Sequence, residues 1–239
     1  MKARRVKKLD PAAPLIENAA RIIRVRLDEL RSFVPAALDR KRSTEQHDMR
    51  IAAKRLRYVL ESTEFCFGTP AKAARRGARQ LQEVLGELHD CDVMLPLVEG
   101  HMKALHDEDA EGIRRRAGRA ADLDPALSAA ASHRAEYRGL EVLAVHVDAR
   151  RRLLFDRFVE LWSELERDAT WKRLEREVET RLAVARERRA AAERAGRAAR
   201  DLERAEHQQR QAAERARLAS EALVEAREAR GERPPATSH

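Results

Sequence analysis

The residues best suited to chemistry lie in one stretch, His47-Asp-Met-Arg-Ile-Ala-Ala-Lys-Arg-Leu-Arg-Tyr58. At 100° per residue on a helix, His47, Arg50, Lys54 and Arg57 fall within an arc of about 80°. Met49, Ala52, Ala53, Leu56, Val59 and Leu60 take the opposite arc, so one face packs inward while four basic or titratable groups line the other. Arg55 lies on the flank. Cations at this spacing repel by a few tenths of a kcal/mol per adjacent pair, a cost that a ligand with negative charge at matching intervals removes. Lys72, Arg75, Arg76 and Arg79 present a second row of charge further on. If the two helices pack antiparallel, the rows flank a common groove suited to a polyanion held by charge and counterion release, without base readout. The alternative is two ordinary solvated faces, because basic runs are a permissive signal.

Other chemistries find less support. His89, Asp90, Asp92, His101 and His106 are the one cluster that invites a metal, but their spacing does not put ligands on one helix face as H-E-x-x-H does. No metal or cofactor is expected. No phosphate-cradling G-x-x-x-x-G-K-[ST] loop, G-x-S-x-G elbow or G-x-G-x-x-G turn occurs. His47 could titrate near neutrality, yet nothing nearby in sequence supplies a nucleophile. The expectation is therefore a binding protein and not an enzyme.

The elements that must position these residues are helices. A first helix is expected from Pro14, with a stripe of Ile16, Ala20, Ile23, Leu27, Leu30 and Val34 that Pro35 ends or bends. Ser43 to Gln46 reads as a capping box opening a second helix to about Cys66, closed by Phe67-Gly68. Thr69-Pro70 starts a third, buried through Leu81, Val84, Leu85, Leu88 and Leu95; Gly86 and Pro96 predict a break near Asp90 and a short fourth segment to about Ala121. Asp122-Leu-Asp-Pro125 is a turn. Beyond it Leu140, Leu143, Val147, Leu154, Phe158, Leu161 and Leu165 share a face, with Phe155 and Trp162 beside them, and should close the core.

From about Lys172 the composition shifts to Ala, Arg and Glu. Val184, Ala191, Ala198, Ala205, Ala212, Ala219 and Ala226 recur every seven residues, with Leu202, Ala216 and Leu223 on a second line. This is the pattern of a coiled-coil seam, or of a single exposed helix laced by i,i+4 ion pairs. The predicted organisation is a basic arm (1–13), a helical domain (14–170), a long helix or coiled coil (171–230) and a disordered tail (231–239). The fold class is all-α, a helical bundle with a long C-terminal Ala/Arg/Glu-rich helix.

Bulk composition agrees. The 239 residues carry 49 Lys+Arg against 41 Asp+Glu, a net charge of +8; only eight cations are Lys, and the remaining 41 are Arg, whose planar fork matches phosphate oxygens. Aromatic residues make up 4% and Gly and Pro together number 17, which argues against a many-stranded β fold. No window approaches the ~18–20 apolar residues a membrane span needs. No apolar core follows the basic start, and Cys66 and Cys91 sit in apolar helical surroundings without metal spacing. A cytoplasmic protein with reduced thiols is expected.

His47-x-x-Arg50-x-x-x-Lys54-Arg55-Leu56-Arg57-Tyr58, followed by Leu85-Gly86-Glu-Leu-His89-Asp90-Cys-Asp92-Val93, resembles the two signature stretches of CHAD domains, named for histidines on an α-helical fold. The resemblance covers roughly residues 14 to 170. It implies bundles of helices with a basic surface that binds inorganic polyphosphate and often targets proteins to polyphosphate granules. It makes His47, Arg50, Lys54, Arg55 and Arg57 the anion-contacting candidates; Lys72, Arg75, Arg76 and Arg79 rest on the charge argument alone. Such proteins commonly repeat the motif in two related bundles, whereas one clear copy is present here and His146-Val-Asp-Ala-Arg150 is a poor match. The second bundle is diverged or missing; if missing, a homodimer held by the Ala heptads would restore the pair. His89 stands where Arg is frequent, and Asp90 and Asp92 read as structural acids that pair with nearby Arg or cap a helix. Glu175, Glu177 and Glu179 alternate, but in a helical segment, so the triphosphatase-type domain that often accompanies CHAD is not expected. Nucleic-acid binding is the second reading, with few aromatic residues to stack on bases. A coiled-coil scaffold with an incidental basic face is the third.

Overall fold

The computed structural model describes residues 2–229, and the segment predicted as a disordered tail lies outside them. The elements are α1 (Leu15–Arg31), α2 (Val34–Ala37), α3 (Ser43–Ala117), α4 (Pro125–Ala129), α5 (Arg134–Arg167) and α6 (Thr170–Ala229). The chain divides into two compact units after Ala183.

The spine is α3, a helical hairpin. Gly68 (φ 63°, ψ −144°) takes a conformation that residues with a Cβ rarely adopt, and it reverses the chain between a first arm (43–67) and a second arm (69–117). The first arm buries Met49, Ala52, Ala53, Leu56 and Leu60; the second buries Ala71, Ala74, Ala78, Leu81, Leu85 and Leu88. Small side chains from Ala71 to Ala78 let neighbours approach closely. At Gly77 an added Cβ would lie 2.7 Å from Leu165 Cδ2 of α5. One core joins Ile23, Leu27 and Leu30 of α1, both arms, Leu154 to Leu165 of α5, and Trp171, Leu174, Val178 and Leu182 of α6. Trp162 and Trp171 stack at 6.0 Å across the α5–α6 turn, where Ala169 has φ 51°.

Several local expectations need correction. The second arm runs unbroken through Gly86 and Pro96 to Ala117. Leu85, Leu88, Cys91 and Val98 hold it to the core on one side while Pro96 faces solvent, so the proline costs one backbone bond without ending the helix. The capping box at Ser43 does not form. The buried Gln46 amide donates to Ala37 O (3.3 Å) and Asp39 O (2.8 Å), tying α2 to the start of α3. On α5, Leu143 is 40% exposed, so the apolar stripe is covered only from Val147 onward. The turn before α4 does form, with Asp124 accepting from Ala126 N at 2.9 Å. Gly118 (φ 57°) ends α3, and the buried Asp109 carboxylate accepts the amides of Ser132 and His133 at the start of α5.

Within the second unit, Val184, Leu202 and Leu223 of the two heptad lines are exposed, as are Leu218 and Val224 beside them. Pairs such as Arg189–Glu193 (3.4 Å) and Arg217–Glu221 (3.2 Å) lace its surface at i,i+4. No helix among the described residues is long and apolar enough to cross a membrane.

Candidate functional site

Reflection about Gly68 takes position 47 to 89, 50 to 86, 54 to 82 and 57 to 79, and the contacts follow it. The His47 and His89 rings lie 4.2 Å apart, tilted by 43°. An added Cβ on Gly86 would stand 3.3 Å from Arg50 Nε, so the guanidinium crosses the second arm where that arm has no side chain. Glu64 and Arg75 close the hairpin end with an ion pair of 2.7 Å. The two arms are therefore antiparallel, and His47, Arg50, Lys54 and Arg57 line a seam against His89, Gly86, Gln82 and Arg79.

The electrostatics of this seam are unbalanced. Among the described residues, His47 Nδ1, Arg50 Nε, Arg57 Nε and, on the second arm, Gln82 Oε1 are buried atoms without a hydrogen-bond partner. Buried polar groups are normally paired, and leaving one unpaired costs roughly 1–3 kcal/mol. Arg57 reaches Glu61 only at 3.7 Å. The Tyr58 ring, half-exposed, sits 4.7 Å from the Arg57 guanidinium and 5.7 Å from the Lys54 ammonium, orienting both cations without neutralising either. Burial pushes the His47 imidazole below its ordinary pKa, helped by His89 and Arg50 and opposed by Asp48.

The predicted residues separate into groups. His47, Arg50, Lys54 and Arg57 stand together. Arg55 turns to the opposite flank, where its Nη1 donates to Glu29 of α1 at 3.0 Å; that carboxylate is fully buried and also accepts from Arg26 at 2.5 Å. Among the second row, Arg75 is held by Glu64 and Arg79 by Glu83 (2.8 Å), whereas Lys72 and Arg76 are exposed and form no ion pair. His89, discounted in sequence because Arg is frequent at that place, is brought against His47, and the reflection about Gly68 is the signal that locates it. Gly86 and Tyr58 are further seam residues that periodicity alone did not single out. Asp92 pairs with Arg151 of α5, as expected of a structural acid. His106 packs against Tyr137 at 4.2 Å, away from His89. Cys66 and Cys91 are free thiols that burial pushes to higher pKa.

Such a seam can hold several oxyanions in a row through guanidinium forks, an ammonium and an imidazole. A family model described as CHAD domain matches residues 2–99, a span holding the basic arm, α1, α2 and every candidate residue in both arms of α3. No curated protein and no solved structure matches the chain.

Proposed function

With residues 2–99 a CHAD domain, we propose that the α3 seam binds inorganic polyphosphate without turning it over. CHAD domains are associated with polyphosphate-related proteins. The observation that carries the reading is the row of buried, unpartnered nitrogens on His47, Arg50 and Arg57 beside the unpaired Lys54. A linear chain with one charge per phosphorus supplies an acceptor to each, and its flexible backbone can follow the helical pitch. Attachment to polyphosphate granules would follow from such binding.

The test is competition at ~150 mM salt, where the Debye length is about 8 Å. Long-chain polyphosphate, single-stranded RNA and duplex DNA are matched in phosphate number. Polyphosphate should bind tightest; equal or tighter binding of either nucleic acid refutes the assignment. Reversing Arg50, Lys54 and Arg57 to Glu should abolish binding with the helical spectrum intact, and unchanged affinity would place the site elsewhere.

A further inference from the structure

The basic N-terminal segment is not a loose arm. Three sites on α1 clamp its backbone. Arg26 Nη2 donates to Arg4 O at 3.0 Å while Glu29 Oε1 accepts the Arg4 amide at 3.1 Å. Arg21 donates to Lys8 O. Asn18 exchanges two bonds with the Asp10 backbone, accepting from N at 3.1 Å and donating to O at 2.7 Å. On the arm, the bonds with α1 use main-chain groups at Arg4, Lys8 and Asp10 and none of its basic side chains.

Between arm and α1 lies a crevice of about 360 Å³ lined by Arg5, Lys7, Lys8, Arg21 and Arg24, with Asp28 as its acid. Arg21 reaches Glu17 at 3.7 Å; Arg5, Lys7, Lys8 and Arg24 form no ion pair among the described residues. Pinning prevents these cations from spreading apart, so their mutual repulsion is retained in the folded protein. The buried Glu29 carboxylate ties this lane to the first arm of α3, because it takes the Arg4 amide and Arg55 Nη1, the guanidinium on the flank away from the seam.

We infer that the pinned arm is a second anion-binding site, which takes the same class of ligand as the seam, a linear phosphate polymer, and that a chain long enough to pass the Arg55 flank runs continuously from one to the other. The inference rests on the seam reading above. A long chain then engages both lanes at once, and the second engagement is intramolecular, so its strength depends on chain length. Tripolyphosphate occupies one lane at a time.

The full-length protein is compared with an arm variant (Arg5→Ser, Lys7→Ser, Lys8→Ser) and a seam variant (Arg50→Gln, Lys54→Gln, Arg57→Gln). The arm residues are exposed, and their side chains form no hydrogen bond, so the core is untouched. Titrations use tripolyphosphate and polyphosphate of about a hundred units. The arm variant should bind the long chain roughly tenfold more weakly, with a shallower salt dependence, while one equivalent of tripolyphosphate is still taken up at the seam. Parent affinity and salt slope for the long chain in the arm variant, with loss in the seam variant, would overturn the second site and leave the seam standing. Loss in the arm variant alone would overturn the reading of the seam and, with it, the continuity inferred here.

Discussion

Glu29→Gln separates stability from affinity, because the acid that holds α1 to α3 also places a negative charge beside the basic arm. Its carboxylate is fully buried and takes three donors: Arg26 at 2.5 Å, Arg55 at 3.0 Å and the Arg4 amide at 3.1 Å. A glutamine keeps the shape and, through Oε1, the acceptor for the Arg4 amide and Arg55, but it turns the Arg55 ion pair into a bond to a neutral acceptor and sets an amide NH2, which cannot accept, against Arg26. Hydrogen bonds to charged groups contribute about 1.5–3 kcal/mol against roughly 1 for neutral ones. Both guanidinium groups keep some solvent, with side chains 12% and 26% exposed, so the loss falls toward the lower end, about 2 kcal/mol. For a chain of this size that corresponds to a melting temperature lower by roughly 4–8 °C. Binding should move the other way. Removing one negative charge beside the basic arm is worth ~0.5–1 kcal/mol at surface-like dielectric, or about a two- to fivefold tighter Kd for polyphosphate. Thermal unfolding by circular dichroism and anisotropy titration measure the two. Weaker binding by a folded variant, or an unchanged melting temperature, would refute the assignment of Glu29 as the shared counter-ion.

Two further outcomes follow from the geometry. Because burial, His89 and Arg50 depress the His47 pKa in the free protein, an oxyanion at the ring should raise it, so binding takes up a proton and tightens as pH falls from about 7.5 towards 6. The sign for folding is opposite: a histidine depressed in the folded state costs stability as pH drops below the unfolded value of 6.5, so the free protein weakens where the complex tightens. His47→Asn should flatten the pH dependence of affinity measured by calorimetry, and superimposable profiles would remove His47 from the site. Gly77→Ala places a Cβ 2.7 Å from Leu165 Cδ2 against the Trp171 indole, so overpacking of about 1–3 kcal/mol outweighs the helix-propensity gain of ~1 kcal/mol. Denaturant unfolding should show a lower midpoint, and a stabilised variant would mean that α5 is free to withdraw.

Much of the fold is legible from periodicity, because a helix records its buried face every three to four residues. The stripes of α1, both arms of α3 and the later part of α5 can be read directly. Gly68 is legible as a stop because few other residues adopt its backbone angles. The break expected near Asp90 from Gly86 and Pro96 does not occur, because a local rule prices one backbone bond, whereas Leu85, Leu88, Cys91 and Val98 hold the helix through it. The Gln46 amide likewise serves α2, because a side chain takes the partner that the tertiary fold brings to it.

The four-residue cationic row belongs to the local sequence, since 3.6 residues per turn align His47, Arg50, Lys54 and Arg57 whatever they pack against. Which cations remain unbalanced was decided only in three dimensions. Arg55 is one residue from Lys54, yet it is spent on Glu29; Arg75 and Arg79 meet acids that helix spacing or hairpin closure places beside them, while His89 arrives at His47 from 42 positions away. Charge acts through space at a few ångströms, and only chain reversal at Gly68 and the pinning of residues 2–8 to α1 set those distances.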